Sequence, residues 1–344
     1  MDGLRFNGVA HRYDADWALR ELNLSVGAGE IVCLLGPSGC GKSTALRLAA
    51  GLEVLQEGEI SVAGEVVASG GTKHQEPPER RSVGLMFQDY ALFPHMTVAA
   101  NIAFGLPKSE RNSGEKVKKA LEEMHLGHVA DRYPHTLSGG QQQRIALLRA
   151  LAPNPRVMLL DEPFSGLDQH LRQRVRQETL SMLSNSGAAT LIVTHDPEEA
   201  MYLADRIVVL NNNAVVQDAV PSELYSNPAD PFIARLFGPV NSFDAQVENG
   251  TVATPLGTFG TPQYENGAQV KVMIRASDVA LKCSDEQGAK VVSARPLGPD
   301  VEVTLALRDA SPTIVSLVPA LQAPKSGEFA TIHIANKNVF VFAA

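Results

Sequence analysis

A chain of 344 residues with 44% hydrophobic and 20% charged residues has the composition of an ordinary globular protein and is long enough for two domains. Its formal net charge of −8 argues against a surface built for nucleic acid, which needs clustered Lys and Arg, so no nucleic-acid partner is expected. The N-terminus has no apolar signal region, no run approaches the roughly 18 apolar residues of a membrane span, and the three cysteines form no C-x-x-C pair. These features predict a protein of the cytosol.

Short apolar runs that alternate with helical patterns predict an α/β domain over residues 1–240. The runs are "IVCLLG", "SVGLMF", "VMLLD", "TLIVTH" and "RIVVL". Strands that are apolar on both faces and separated by helices indicate a parallel sheet covered on two sides. Between about residues 89 and 155 only helical patterns occur, which predicts a helical insert.

The segment "GPSGCGKST" follows the first apolar run and opens a helical pattern. This is the context in which a G-x-x-x-x-G-K-[ST] match predicts a P-loop for a nucleotide phosphate, whereas a glycine-rich turn without a ligand would not need the strand and the helix. Lys42 would neutralise the β- and γ-phosphates and Ser43 would bind Mg²⁺. The predicted nucleotide-binding residues are Gly36, Pro37, Ser38, Gly39, Cys40, Gly41, Lys42, Ser43 and Thr44.

A second helix start with the features of an anion site lies about a hundred residues later, in "LSGGQQQRIALLRAL". Ser138 is a suitable N-cap, and Gly139 and Gly140 leave the amides of the first turn bare. A single nucleotide has no evident need for two such sites.

Four polar side chains follow predicted strands. Asp161 and Glu162 end "VMLLDEP", where Asp161 would hold Mg²⁺ and Glu162 would act as general base; a helix cap explains one acid but not the pair. Gln88 ends "SVGLMFQ" and His195 ends "ATLIVTH". Taken alone, each of these last two is better explained as a hydrogen-bonded structural residue than as a functional one.

The ordered set of motifs resembles the ATPase subunit of an ATP-binding cassette (ABC) transporter from about Leu4 to Asn241. The resemblance implies ATP and Mg²⁺ as cofactors, with Glu162, His195 and Gln88 as catalytic residues, and Ser43, Gln88 and Asp161 around the metal. It also assigns a signature loop and a D-loop to the nucleotide, and an aromatic ring to the adenine. The residues are Ser138, Gly139, Gly140, Gln141, Asp168 and, for the adenine, Tyr13 or alternatively Trp17.

The resemblance also explains the second helix start. In this family a head-to-tail homodimer places the signature loop of one subunit over the ATP held by the other. The segment "DYALFPHMTV" would line a groove for a cytoplasmic helix of an integral membrane permease, so some of the side chains of Tyr90, Leu92, Phe93 and Met96 should be exposed. The alternative is that these side chains pack inside the insert.

After about Asn241, Val- and Thr-rich alternation predicts a small β-barrel over residues 241–344. It resembles the OB-like accessory domain of importer ATPases, although "RASDVAL" lacks the proline of the related R-P-E-D motif. The barrel could be a sensor of small molecules or a dimerisation domain.

The importer resemblance implies an ATP hydrolase, or translocase, at the cytoplasmic face of the inner membrane, served indirectly by a solute-binding protein. Several segments, among them "YPHTLSGGQQQR" and "RALAPNPR", look most like ferric-iron importers, with polyamine, sugar or sulfate-like oxyanion as alternatives. A DNA-repair ATPase would carry a coiled coil or zinc module in the insert, and a translation factor would carry two cassettes.

Overall fold

The computed structural model describes residues 2–167, 169–284, 288–307, 310–334 and 339–344. The chain divides into two compact units, of which the first ends at Pro221 and the second runs from Ser222 to Ala344. The predicted Asp168 lies outside the described residues.

The first unit contains two sheets. The first sheet is antiparallel and has the order β2-β1-β4-β5; the second has the order β10-β9-β3-β8-β7-β6, and all its neighbouring strands are parallel except β10 and β9. The strands are β1 (Asp2–Tyr13), β2 (Asp16–Gly27), β3 (Ile31–Leu35), β4 (Glu57–Val62), β5 (Glu65–Ser69), β6 (Val83–Met86), β7 (Val157–Asp161), β8 (Ala189–Thr194), β9 (Arg206–Asn211) and β10 (Ala214–Ala219).

The parallel sheet is formed by the apolar runs that the sequence analysis identified. Every residue of β3 and β8 is buried, as are the first four residues of β7. One hydrophobic core joins these strands with the antiparallel sheet and with the first helix. The predicted α/β P-loop fold is therefore confirmed.

Only helices and turns connect β6 to β7, and they form a core of their own around Ile102, Leu121 and Ile145. The helices of the first unit are α1 (Lys42–Ala50), α2 (Val98–Ala103), α3 (Lys108–Ser113), α4 (Glu115–Glu123), α5 (Gly139–Leu151), α6 (Gln169–Ser186) and α7 (Pro197–Leu203).

In its described residues, the second unit has two five-stranded antiparallel sheets around one core, with the orders β13-β12-β11-β14-β20 and β15-β19-β16-β17-β18. This confirms the strand-rich, OB-like fold. The strands are β11 (Val240–Glu248), β12 (Thr251–Thr254), β13 (Gly257–Gly260), β14 (Gln269–Arg275), β15 (Val279–Ser284), β16 (Ala289–Pro296), β17 (Asp300–Leu307), β18 (Ala310–Pro319), β19 (Phe329–Ile334) and β20 (Val339–Ala343).

Two short helices near the boundary, α8 (Pro221–Ser226) and α9 (Pro231–Leu236), explain why the units divide about twenty residues before the predicted boundary at 240. Arg275, at the end of β14, is only 2% exposed and donates hydrogen bonds to the carbonyl oxygens of Tyr225 at 2.9 Å and Ala234 at 2.8 Å. Its guanidinium also lies 4.1 Å from the centre of the Tyr225 ring. A strand of the second unit thus holds the end of each helix.

Candidate nucleotide site

The loop between β3 and α1 takes a conformation that its glycines permit. Gly39 and Gly41 have φ values of +83° and +97°, in the left-handed region that residues with a Cβ rarely adopt. A Cβ on Gly41 would also overlap with the carbonyl oxygen of Ala18. The side chain of Asn213 supports the loop from the β9–β10 hairpin, donating to the carbonyls of Ala18 at 3.0 Å and Gly39 at 3.4 Å.

Lys42 is only 5% exposed, and its ammonium lies within the loop. Nζ donates to the carbonyl oxygens of Gly36 and Pro37, both at 2.8 Å. Carbonyl oxygens carry only partial charge, so a buried ammonium held by them keeps most of its attraction for a phosphate.

Ser43 and Asp161 meet at the carboxyl end of the parallel sheet, 118 residues apart in the chain. The Ser43 hydroxyl lies 3.1 Å from Oδ1 of Asp161. Burial raises the pKa of Asp161, and the hydrogen bond from Ser43 opposes that shift. A hydroxyl and a carboxylate are hard oxygen ligands of the kind that Mg²⁺ takes from a protein when phosphates and water complete its shell, so this pair fits the ion.

The carboxylate of Glu162 lies between the two polar residues that the sequence analysis left ambiguous. Its Oε1 is 2.8 Å from Nδ1 of His195, and its Oε2 accepts a hydrogen bond from Nε2 of Gln88 at 3.2 Å. Glu162 itself has a φ of +43°, and its N–H donates to the carbonyl of Val193 at 2.9 Å. A strained backbone of this kind often marks a functional position. Three strand ends thus supply one cluster.

Tyr13 and Trp17, the two rings considered for the adenine, have different surroundings. The Tyr13 hydroxyl donates to Glu53, its ring makes an edge contact with His11 at 4.9 Å, and 46% of the residue remains exposed. Burial, together with the hydrogen bond to Glu53, raises the pKa of Tyr13. The guanidinium of Arg12 lies 3.5 Å from the centre of the Trp17 ring and covers one of its faces, which favours Tyr13.

Helix α5 begins with a capping box. Ser138 Oγ accepts from the N–H of Gln141 at 3.4 Å, and Gln141 Oε1 accepts from the N–H of Ser138 at 3.0 Å. The side chain of Gln141 therefore serves its own helix. Within the described ranges, no hydrogen bond connects this turn with Lys42 or Glu162, so the structure does not bring the two predicted anion sites together in one chain.

The segment after Gln88 leaves some of the predicted groove residues partly exposed and buries one. Tyr90 is buried, with 8% exposed, whereas Phe93 and Met96 are half-buried. Tyr90 therefore does not belong to the exposed part of the predicted groove: its backbone is left-handed, with φ +63°, and its hydroxyl lies 3.6 Å from the position that a Cβ on Gly166 would take. Leu92 packs against the core of the insert, which is the alternative that the sequence left open.

Three further residues that contact the predicted ones or their neighbours in the chain were not identified from the sequence. Glu53 orients Tyr13, and Arg149 donates hydrogen bonds to the segment after Gln88. A third residue, Arg176, contacts both Asp196, at 3.2 Å, and the buried Glu199, at 3.1 Å. Arg149 is the one charged residue in the apolar run "IALLRAL", and this position could have indicated a buried polar contact.

Comparisons with known proteins identify the family. Residues 19–165 match the family model described as ABC transporter. The chain is 42% identical to the spermidine/putrescine import ATP-binding protein of Oleidesulfovibrio alaskensis, covering 80% of this chain and 75% of that protein. The chain belongs to the ABC transporter ATPases.

Further relatives extend the match. The sulfate/thiosulfate import ATP-binding protein of Vibrio cholerae is 41% identical, over 88% of this chain and 82% of its own length. A dimeric structure of a bacterial ABC transporter cassette has a TM-score of 0.55 at 29% identity and covers 63% of this chain and 98% of that one. As an ABC transporter ATPase, the chain hydrolyses ATP in a reaction coupled to transport. None of the helices in the described ranges has both the length and the apolar character needed to span a bilayer.

Proposed function

We propose that this ABC ATPase powers the import of a polyamine or a sulfate-like oxyanion. The cargo is inferred from the two import proteins above, which are named for spermidine/putrescine and for sulfate/thiosulfate at similar identity and coverage. Neither of them is named for iron, so the ferric-iron cargo predicted from the sequence has no support from these relatives.

The observation that carries the proposed chemistry is the position of Glu162 between Gln88 and His195. A carboxylate held at both oxygens is oriented to take a proton from a water that attacks the γ-phosphate. Glu162 is the proposed general base, Gln88 orients the water, and His195 contacts the γ-phosphate. Lys42 would stabilise the charge on the β- and γ-phosphates.

Mg²⁺ is the proposed metal cofactor, held by Ser43 and Asp161 with Gln88 nearby; when bound, it neutralises charge on the phosphates. The loop from Gly36 to Thr44 would hold the phosphates through its backbone amides. Tyr13 would lie against the adenine, in the orientation that Glu53 gives it.

The proposed active form is a head-to-tail homodimer. In it, the nucleotide of one subunit would contact Ser138 of the partner subunit and the amides of the following turn, with Asp168 near the interface. The support is the bare first turn of α5, capped by its own side chains, and the dimeric state of the solved relatives. ATP would favour the closed dimer and hydrolysis would release it.

The proposed location is the cytoplasmic face of the inner membrane, where the half-buried Phe93 and Met96 would contact an integral membrane permease. A solute-binding protein would deliver the cargo to the permease. The first unit would act as the ATPase, and the second would have an accessory function.

Uptake by a reconstituted complex tests this function. The ATPase is purified with the permease subunits of its native host, placed in liposomes with ATP inside, and supplied with the host's binding protein. We expect ATP-dependent uptake of labelled putrescine or labelled sulfate, and none with the Glu162→Gln subunit as control. Uptake of ferric iron alone would overturn the proposed cargo, and ATP-independent uptake of every solute would overturn the proposed motor.

A further inference from the structure

The two residues that follow Asp89 have a backbone conformation that needs outside support. Tyr90 has a φ of +63° and Ala91 a φ of +42°, and neither is glycine. Consecutive left-handed residues with a Cβ are strained and persist only where the surroundings hold them. Because Gln88 lies two residues earlier, the placement of its amide depends on this turn.

Arg149 supplies that support from another helix. Its Nη1 donates to the carbonyl of Ala91 at 2.7 Å, and its Nη2 donates to the carbonyl of Tyr90 at 2.9 Å. The guanidinium also lies 5.3 Å from the centre of the Phe93 ring. A planar fork can hold two successive carbonyls at once, which a lysine cannot do with the same geometry.

No side-chain hydrogen bond of Tyr90 takes over this role. Its hydroxyl is buried and has no partner among the described residues. Its N–H donates to the carbonyl of Phe87 at 2.9 Å, which closes the turn but does not fix both carbonyls. The contact with Arg149 is therefore the polar interaction that holds the left-handed pair from outside the loop.

Arg149 belongs to the same helix as the signature turn. α5 runs from Gly139 to Leu151, with Ser138 as its N-cap. Arg149 comes eleven positions after Ser138, which corresponds to about 16 Å along a helix axis. One rigid element thus carries the bare amides at one end and the support of the Gln88 loop at the other.

We propose that Arg149 is a positioning residue for hydrolysis: it holds Tyr90 and Ala91 so that Gln88 reaches Glu162, and it links the signature turn to that loop. The inference rests on the proposed function of Gln88 and Glu162. Closure of the dimer on α5 would then be transmitted to the attacking water through Arg149.

Steady-state hydrolysis by the full chain tests the proposal. Arg149→Lys keeps the charge but loses the two-carbonyl contact, so kcat should fall about tenfold while KM for ATP stays within twofold. Arg174→Lys is the matched control, because Arg174 lies on α6 and pairs with Glu178 at 2.9 Å; its kcat should not change. Fluorescence of Trp17, the single tryptophan, measures nucleotide binding independently.

Two further variants separate positioning from general stability. Ala91→Gly relieves the strain at one of the two residues, and it should restore part of the kcat of Arg149→Lys. In a Gln88→Ala background, Arg149→Lys should have little further effect, since the group that it positions is gone. A wild-type kcat for Arg149→Lys, or effects that add fully with Gln88→Ala, would overturn the proposal.

Hydrogen exchange distinguishes a failure here from a failure of the proposed function. Arg149→Lys should speed exchange in peptides covering residues 88–93 without altering peptides from the second unit, whether or not the protein hydrolyses ATP. Unchanged exchange at this loop would refute the contact itself. Faster exchange with an unchanged kcat would show that the loop does not position the catalytic group.

Discussion

Oε1 of Glu162 lies 2.8 Å from Nδ1 of His195, although the two residues follow different strands of the parallel sheet. The other carboxylate oxygen is engaged by Gln88, so both ends of the proposed base are fixed before a nucleotide arrives. An arrangement of this kind lowers the cost of orienting the base during the reaction.

Glu162→Gln should retain ATP binding and lose turnover. The amide keeps the shape and the contacts with Gln88 and His195, but it cannot accept the proton of the attacking water, so kcat should fall by about 100-fold or more. Phosphate release measures turnover, and Trp17 fluorescence measures binding. Size-exclusion chromatography with ATP should reveal a trapped dimer. Turnover at the wild-type rate would remove Glu162 from the role of base.

Ser138→Arg should block ATP-dependent dimerisation and spare ATP binding to the single subunit. The substitution removes the cap of α5 and places a bulky cation where the partner's nucleotide would lie. Combined with Glu162→Gln, it should abolish the trapped dimer in chromatography. Ser113→Arg, on the exposed α3, is a suitable control and should leave the dimer intact. A stable ATP-dependent dimer of the Ser138 variant would contradict the two-chain site.

Asp161→Asn should stabilise the nucleotide-free protein at pH 7. Burial raises the pKa of Asp161, which means that the folded state disfavours the ionised carboxylate more than the unfolded state does. The advantage of Asn should shrink as the pH falls through the folded-state pKa and vanish below the unfolded value of about 3.9, where both side chains are neutral. Thermal unfolding at several pH values measures this.

With Mg²⁺ and ATP bound, the wild-type protein should become more stable than the Asp161→Asn variant. Ligand that binds only the folded state raises the melting temperature, and Asp161→Asn should lose most of that rise. Asp244→Asn, an exposed carboxylate of the second unit, should change neither measurement. An equal rise in both proteins would show that Asp161 does not hold the metal.

Phe93→Asp should weaken association with the permease far more than it lowers hydrolysis by the isolated subunit, because the ring has no part in phosphoryl transfer although it lies 5.3 Å from the guanidinium of Arg149. Phe93 is half-buried, and its ring lies 4.5 Å from the half-exposed Phe104 in the insert. Loss of an apolar anchor at an interface costs about 2 kcal/mol or more when the anchor is central. Co-purification measures association. If the variant unfolds, Phe93 is a core residue, and Phe104→Asp then tests the same surface from an exposed position.

The parts of the site that one motif encodes were predictable from the sequence. The left-handed Gly39 and Gly41 and the N-cap at Ser138 each depend on a few adjacent residues. The spacing of those residues in the motif was therefore enough to predict them. The proximity of Ser43 and Asp161 agrees with their assignment to the same Mg²⁺, and the loop before Ser43 and the strand of Asp161 meet at one edge of the parallel sheet.

The parts that depend on distant partners were not predictable. Tyr90 is buried in a turn whose carbonyls meet an arginine 59 residues later, and no local pattern indicates that contact. The hydroxyl of Tyr13 donates a hydrogen bond to Glu53, which lies 40 residues later in the chain. The change of composition near residue 240 predicted a domain boundary there. The helices α8 and α9 nevertheless belong with the second unit, because Arg275, which comes about forty residues later, binds their carbonyls.

The anchoring of α8 and α9 by Arg275 bears on how the ATPase unit should be produced alone. A chain cut at residue 240 would carry both helices without the cation that binds their carbonyls, and α9, whose Ile233 is buried in the intact protein, would lose its contacts with β14. Such a fragment is expected to aggregate and to be susceptible to proteolysis. A stop codon after Pro221 removes α8 and α9 together with Arg275, and should give the more soluble and more protease-resistant fragment.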